Sequence, residues 1–339
     1  TTPAGNAVTV EGEGISLVRS GDRRIRLDEL VETAPDLVLG AEYARAHGGL
    51  GRLAKIFDYG ERVPFHIHPP TEQARQVGLR SKDEAYYYLP GVDLGPHPES
   101  FFGLHASLSP EEASERLVEH LRAWDDDHVV GLSRGYRLFP EGGYFVPSGV
   151  LHAPGTALTL ELQEDSDAMA FLQAVCGEVH LSKELLLGNL SLAARAERGE
   201  AAVLDWVDWD LNLMPDFHSA YHLDPRAILA AEEGVEEAWL FWGGDRFAAK
   251  RMRMRPGATA ARREPGAFSL FVWRGSVRIG GVELHGGRPG SDELLVTADR
   301  AARGLDLVAL GDEPVELISF FGPGLTPDAP RIDRKETRA

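Results

Sequence analysis

From Leu53 onwards the chain consists largely of short apolar runs separated by Gly, Pro and Asp, and this pattern most constrains its fold. Such runs occupy residues 85–89 and 143–147, and short apolar runs recur after Glu237, for example at 248–254 and 268–273. Short strands between turn residues are typical of a β-sandwich or barrel, and they argue against alternating strand and helix units. The sequence therefore predicts a mainly β protein with two β-units.

Helical segments are expected between and within these units. Ser109 is a predicted N-cap, followed by proline at the first helical position and by Glu112 three residues after the cap. Other helices are predicted at 27–38, 41–47 and 182–198, and from Asp224 to Gly234. The predicted domains are an N-terminal unit with a helical insertion (1–195), a helical linker (196–236), a C-terminal unit (237–325) and a tail (326–339).

Composition narrows the class of function. The 339 residues include 35 Lys and Arg against 53 Asp and Glu, a net charge of −18. So acidic a surface repels nucleic acid and anionic membranes, and no apolar run reaches the length of a membrane span. Cys176 is the only cysteine, which excludes an intramolecular disulfide and argues against a thiolate metal cluster. We expect a cytoplasmic protein whose metal ligands, if any, come from carboxylates and its 12 histidines.

Four residues suggest a metal site. His66 and His68 are two apart on a predicted strand and therefore point to the same face, although such a pair alone is more often a surface or packing feature. Glu84 begins a neighbouring apolar strand, and His152 follows a turn at the start of another. Three imidazoles and one carboxylate suit one divalent ion, with zinc first and Fe(II), Mn, Co or Ni as alternatives.

The order of these motifs resembles the cupin superfamily and, more narrowly, the type I mannose-6-phosphate isomerases. The family's Gln-x-His-Pro segment corresponds to 66–69, with His66 in place of the glutamine, and its Lys-x-Glu segment corresponds to 82–84. Its Val-Pro-x-Gly-x-x-His-Ala segment corresponds to 146–153. The resemblance covers about residues 53–175. It implies two cupin (jelly-roll) β-barrels with helical insertions, the second a degenerate partner, and a homodimer because cupins commonly pair through sheet edges.

The chain departs from this family at Phe171. Glu161 and Asp167 keep the family's spacing, but the arginine that follows in the isomerases is replaced here by Phe171. A phenyl ring cannot neutralise a phosphate dianion. The simpler interpretation is a substrate without phosphate, a free sugar or related polyol, although Lys82, Arg80 or Arg137 could still hold a phosphate.

The resemblance implies a metal-dependent aldose–ketose isomerase, and we assign its other site residues on that basis. Glu161 is the predicted base that moves a proton between C1 and C2, and Lys82 is expected to contact a substrate hydroxyl. Gln163 and Asp167 are weaker candidates for orienting hydroxyl groups, and Tyr86 is assigned to substrate binding. Two alternatives stay open: an Fe(II) cupin dioxygenase, which the three-His-one-Glu set would allow, and a sugar-binding cupin without catalysis.

Overall fold

The computed structural model describes residues 15–228 and 232–332. Within them the chain divides into two compact units. The first unit is Lys55–Leu223, and the second comprises 15–54, 224–228 and 232–332. This grouping differs from the predicted domains, because 196–223 lies in the first unit and 15–54 in the second. The predicted boundaries stay a prediction about domains, and part of the predicted tail, 333–339, lies outside the described residues.

The N-terminal segment of the second unit forms a hairpin and three short helices: β1 (Leu17–Ser20), β2 (Arg23–Arg26), α1 (Leu27–Thr33), α2 (Pro35–Leu39) and α3 (Ala41–His47). The helix predicted over 27–38 is divided into α1 and α2, because the chain leaves the helical conformation at Ala34. A residue before proline is disfavoured in the helical region, whereas Pro35 itself can begin a helix. The helix at 41–47 is confirmed, and it ends at Gly48 in the left-handed conformation.

The first unit contains two five-stranded sheets and a small hairpin. Its strands are β3 (Leu53–Phe57), β4 (His66–Ile67), β5 (Glu84–Tyr88), β6 (Glu99–Leu104), β7 (Ser133–Arg137), β8 (Gly143–Val146), β9 (His152–Ala153), β10 (Thr159–Gln163), β11 (Ala170–Phe171), β12 (Val175–Cys176), β13 (Val179–His180) and β14 (His222–Leu223). One sheet has the order β14-β8-β5-β10-β3 and the other β11-β4-β9-β6-β7. Apart from β6 and β7, neighbouring strands in both orders are not consecutive along the chain, as in jelly-roll barrels.

Helices pack on the first unit. They are α4 (Thr71–Gln76), α5 (Pro110–Ala123), α6 (Glu184–Leu187), α7 (Leu192–Arg198), α8 (Trp209–Asn212) and α9 (Phe217–Tyr221), with 3-10 turns at His128–Leu132 and Gly199–Trp206. The predicted insertion helix is confirmed as α5, including the reciprocal hydrogen bonds between Ser109 and Glu112. Leu117 and Leu121 bury its apolar face in a core shared with Trp206. The helix predicted over 182–198 is divided into α6 and α7.

The second unit continues with β15 (Arg226–Ile228), β16 (Val235–Phe241), β17 (Ala248–Met254), β18 (Thr259–Arg262), β19 (Phe268–Arg274), β20 (Ser276–Ile279), β21 (Val282–His285), β22 (Glu293–Val296), α10 (Ala298–Arg303), β23 (Leu305–Leu310) and β24 (Val315–Phe321). The helix predicted from Asp224 to Gly234 is wrong at 226–228, because that segment pairs with β16, and its residues 229–231 lie outside the described residues. Sheets of order β15-β16-β17-β24-β19-β22 and β18-β23-β20-β21 enclose an apolar core.

The predicted fold class, mainly β with jelly-roll sheets and helical insertions, is confirmed. Among the described residues, no helix has both the length and the apolar character needed to cross a membrane.

Candidate metal centre

The structure brings together the four predicted ligands between the two large sheets of the first unit. His66 and His152 come from the sheet of β4 and β9, Glu84 comes from β5 of the other sheet, and His68 follows β4. One potential ligand atom from each residue lies within 4.8 Å of those of the other three. All four side chains are at most 4% exposed.

Strand geometry explains why these residues meet. The two-residue repeat of an extended chain places His66 and His68 on one face, as expected from the sequence. His66 is directly opposite His152 in the pairing of β4 with β9, and the centroids of these two rings are 4.0 Å apart. The ring centroids of His68 and His152 are 5.3 Å apart. Backbone register therefore assembles three imidazoles from two strands.

Backbone carbonyls fix which ring nitrogen of each histidine carries the proton. The Nδ1 atoms of His66, His68 and His152 lie 2.7, 2.7 and 2.9 Å from the carbonyl oxygens of Pro64, Ala168 and Val150, respectively. A carbonyl oxygen only accepts, so each Nδ1 must donate its hydrogen. In a neutral ring the Nε2 atom then carries a lone pair, which is the arrangement of metal-binding histidines.

The Glu84 carboxylate faces two of these imidazoles and two hydrogen-bond donors. Its Oε1 atom lies 2.7 Å from Lys82 Nζ and 3.1 Å from His68 Nε2. Its Oε2 atom lies 3.1 Å from His152 Nε2 and accepts a hydrogen bond from the Tyr86 hydroxyl. Burial raises the pKa of Glu84, but its polar neighbours, first among them the Lys82 charge, outweigh burial and hold it well below its usual range. Glu84 is therefore an anion.

These contacts fit a bound cation. Burial lowers the pKa of His68 to about 4, and burial with the neighbouring His152 and His68 rings lowers the pKa of His66 well below its usual value. A neutral His68 ring would turn the lone pair of Nε2 towards an anionic carboxylate, and this atom makes no hydrogen bond despite its 3.1 Å approach to Glu84. A divalent ion among the four groups would engage this lone pair, and three nitrogens with one oxygen suit zinc and related transition metals.

A second set of residues, which sequence reasoning missed, holds the turn that carries His152. Asn212 is completely buried; its Oδ1 accepts from Leu151 N at 2.8 Å and its Nδ2 donates to Gly149 O at 2.7 Å. Asp83 Oδ1 accepts from Ser148 N at 2.8 Å. Asp83 lies beside a predicted ligand, which was a usable signal, whereas nothing near Asn212 in the sequence indicated its contact with this turn.

An ion pair lies beside the cluster. Lys55 Nζ is 2.9 Å from Glu161 Oε2, and Glu161 is directly opposite Tyr86 in the pairing of β10 with β5. Burial and the Glu84 charge raise the pKa of Glu161 to about 8, although Lys55 opposes the shift. Burial lowers the pKa of Lys55, but Glu161 and Glu84 outweigh it and the pKa is raised. Lys55 was not predicted as a site residue, although a single charged residue within the apolar run 53–57 could have indicated it.

The remaining predicted residues lie around this site. Gln163 is opposite Glu84 in the β-sheet, and its Nε2 donates to the carbonyl oxygens of Glu164 and Ser166. Asp167 is partly exposed and directly precedes Ala168, whose carbonyl orients His68. Phe171 is opposite His66 in β11, with a ring centroid distance of 5.7 Å. The aromatic ring that replaces the family's arginine therefore lies against a predicted ligand.

Comparisons with known proteins agree with this architecture. No family model matches the chain. A "putative mannosephosphate isomerase" from Archaeoglobus fulgidus superposes with a TM-score of 0.64 at 15% identity, covering 91% of this chain and 84% of the other. The mannose 6-phosphate isomerase of Bacillus subtilis superposes with a TM-score of 0.60 at 19% identity, covering 89% and 83%. These likenesses establish the fold.

Sequence similarity is confined to part of the chain. The Bacillus subtilis (strain 168) protein named "Putative mannose-6-phosphate isomerase YvyI" is 31% identical over 166 residues, which are 48% of each chain. A second protein of that strain, "Probable mannose-6-phosphate isomerase GmuF", is 30% identical over the same share. The chain thus matches about half the length of these curated relatives. The resemblance drawn from the motifs is confirmed: this chain has the cupin-type fold of the mannose-6-phosphate isomerases.

Proposed function

We propose that the protein is a metal-dependent sugar isomerase that interconverts an aldose and a ketose without phosphate. One observation carries this proposal: the buried set of three imidazoles and one carboxylate lies against Lys82 and beside the Lys55–Glu161 ion pair. Isomerisation needs a positive centre for the sugar oxygens and a base for a carbon-bound proton, and this arrangement offers both.

His66, His68, Glu84 and His152 would hold the ion, with zinc as the first choice because it accepts histidine and carboxylate together. When bound, such an ion polarises the carbonyl and hydroxyl oxygens of a substrate. The carbonyl contacts at Nδ1 of the three imidazoles keep their Nε2 atoms turned inward. Lys82 is buried and would donate a hydrogen bond to a substrate hydroxyl from the same face as Glu84.

Glu161 is the proposed base. Its Oε2 atom is occupied by Lys55, whereas its buried Oε1 atom has no hydrogen-bond partner. In the aldose-to-ketose direction this carboxylate would take the proton from C2 and return it to C1, while the hydroxyl proton on O2 is transferred to O1. Lys55 would keep the carboxylate oriented between the two transfers. Gln163 and Asp167, on the same strand and the turn after it, are proposed to orient substrate hydroxyl groups.

Charge pairing supports a substrate without phosphate. Lys55 and Lys82 each contact a carboxylate, at 2.9 and 2.7 Å. Arg80 is paired with Asp165 at 2.8 Å. A phosphate dianion bound by Lys55, Lys82 or Arg80 would have to break the pair of that residue, and Phe171 beside His66 offers no charge in exchange.

A different reaction class has one observation in its favour. His66 supplies a third imidazole where the isomerase family has glutamine, and a three-His-one-Glu set can hold Fe(II) for dioxygen chemistry. The Lys55–Glu161 pair favours proton transfer, since a dioxygenase has no need of a second buried carboxylate paired with lysine. A sugar-binding protein without catalysis is the remaining reading of the substitution at Phe171.

Proton exchange measured by NMR in D2O tests the proposal. Protein with its metal identified by plasma emission is incubated with free and phosphorylated pentoses and hexoses, and Glu161→Gln serves as the control. Deuterium at C1 or C2 of a free sugar, together with growth of the ketose and loss of both signals in the control, is the expected result. Absence of exchange from every sugar with metal bound would favour a binding protein, and oxygen consumption by an iron form would favour the dioxygenase.

A further inference from the structure

We propose that Tyr86 is a positioning residue of the metal centre, whose hydroxyl holds the Glu84 carboxylate in its ligating orientation. This inference rests on the proposed function only in requiring an ion at the cluster. The hydroxyl of Tyr86 donates to Glu84 Oε2, and the side chain is 2% exposed. The role differs from the sugar contact assigned from sequence, because the one polar group of this side chain is already engaged by Glu84.

The strand repeat creates this contact. Lys82, Glu84 and Tyr86 are two residues apart, so all three project to one face, with a donor on either side of the carboxylate. Each carboxylate oxygen then has one donor and one imidazole: Oε1 faces Lys82 and His68, and Oε2 faces Tyr86 and His152. The two donors thus fix the rotation of the carboxylate about its last bond, which decides where its lone pairs point.

The two donors differ in what they do to a neighbouring ion. The ammonium group of Lys82 brings a positive charge next to the carboxylate and therefore competes with any cation bound there. The phenol of Tyr86 donates one hydrogen bond and remains neutral, so it stabilises the carboxylate without opposing the ion. We therefore assign the lasting contact to Tyr86, which leaves Lys82 available to a substrate hydroxyl.

Packing keeps the phenol in place. The Tyr86 ring meets Phe57 edge-on at a centroid distance of 6.3 Å, and its centroid lies 6.5 Å from that of Phe102. Outer hydrogen bonds of this kind orient metal ligands, and their loss commonly weakens metal binding about 10- to 100-fold. The effect on affinity is thus large enough to measure with a single hydroxyl removed.

The test compares Co²⁺ binding by wild-type protein, Tyr86→Phe and Tyr88→Phe, using chelator competition for the dissociation constant and visible absorption for the coordination geometry. Tyr88 is a matched control because it lies on the same face of β5, is 3% exposed, and makes no hydrogen bond to a proposed ligand. We expect Tyr86→Phe to bind Co²⁺ about 10- to 100-fold more weakly with an altered visible spectrum. Tyr88→Phe should stay within about twofold of wild type.

A double variant shows whether the effect passes through Glu84. In a Glu84→Ala background, which removes the carboxylate and leaves the three imidazoles as ligands, adding Tyr86→Phe should change Co²⁺ affinity by less than about twofold. Phenylalanine keeps the packed ring, and circular dichroism of the metal-free proteins checks folding. If Tyr86→Phe does not fold, Tyr86→Met provides a second variant without the hydroxyl, because the flexible methionine side chain can fill irregular space.

Two results overturn the inference, and they are distinguishable. Wild-type affinity and spectrum in Tyr86→Phe would reject the role of Tyr86 while leaving the metal centre intact. Wild-type protein that binds no Co²⁺ would reject the metal centre itself, and the positioning role with it.

Discussion

The two units are each built around two large sheets, yet they surround their buried carboxylates differently. The first unit gathers three imidazoles around Glu84, which also lies 2.7 Å from Lys82. The second unit buries charge as closed pairs: Lys250 contacts Glu264 at 2.7 Å, and Arg262 contacts Glu237 at 3.0 Å. Across residues 15–228 and 232–332, a cluster with the composition of a metal site occurs only in the first unit.

The difference shows that the fold alone does not make the site. In the second unit Lys250 also lies over the rings of Trp239 and Phe321, 5.2 and 5.0 Å from their centroids, so its charge is satisfied by anion and aromatic faces together. In the same unit, His285 shares a hydrogen bond of 2.9 Å with Ser276. Glu84 and Glu264 are both paired with a lysine, so the three imidazoles gathered around Glu84 are what distinguish the candidate metal centre.

The largest expected effect comes from removing two of the proposed metal ligands. The double variant His66→Ala with His68→Ala leaves one imidazole and one carboxylate, too few donors for a stable site. Metal content measured by plasma emission should fall from about one ion per chain to below roughly 0.1. His285→Ala in the second unit is the control and should keep its ion. Full metal content in the double variant would mean that the ion is bound elsewhere.

Next in size is the loss of the proposed base. Glu161→Gln keeps the shape of the side chain but cannot take a proton, so turnover of the sugar identified by NMR should fall about 10²- to 10⁴-fold. Metal content should not change, because Glu161 is not among the four proposed ligands. Turnover equal to that of the wild type would assign the proton transfer to another group.

A substitution in the second unit tests how much the Lys250–Glu264 ion pair contributes to stability. Lys250→Met leaves the Glu264 carboxylate buried without its partner, which should lower the free energy of unfolding by roughly 3 kcal/mol at neutral pH. Burial already raises the pKa of Glu264, so the folded state binds its proton more tightly than the unfolded state. Protonation therefore favours folding, and the deficit should shrink as the pH falls below neutrality. Denaturant titrations at several pH values check this.

If the loss of unfolding free energy in Lys250→Met does not shrink at lower pH, breaking the Lys250–Glu264 pair is not its source. Glu264→Gln added to Lys250→Met should recover much of the stability, and the metal content of the first unit should be the same in both variants.

The smallest expected effect concerns substrate choice. Phe171→Arg places a guanidinium beside His66, where a phosphate-bearing sugar could use it. The kcat/KM ratio of a phosphorylated sugar to its free counterpart should rise about 10-fold. Phe171→Leu is the control, because it changes the ring without adding charge. An unchanged ratio in Phe171→Arg would locate phosphate discrimination elsewhere.

Local patterns allowed the strands, the insertion helix and the four clustered residues to be predicted. His66 and His68 share a face because of the strand repeat, and α5 follows from its capping residues. Contacts between distant segments could not be predicted: Asn212 holds the turn before His152, and 226–228 forms a strand because β16 offers it a partner. Lys55 shows the same limit, since only sheet pairing brings its strand beside Glu161.

Anomalous diffraction at the metal absorption edge, from crystals of the zinc-loaded protein, tests whether the four clustered residues bind a metal ion. We expect one strong peak in the first unit, bonded to Nε2 of His66, His68 and His152 and to the carboxylate of Glu84. Bond lengths should be about 2.0–2.2 Å. A peak at any other group of residues, or no peak within the four-residue cluster at full zinc loading, would contradict it.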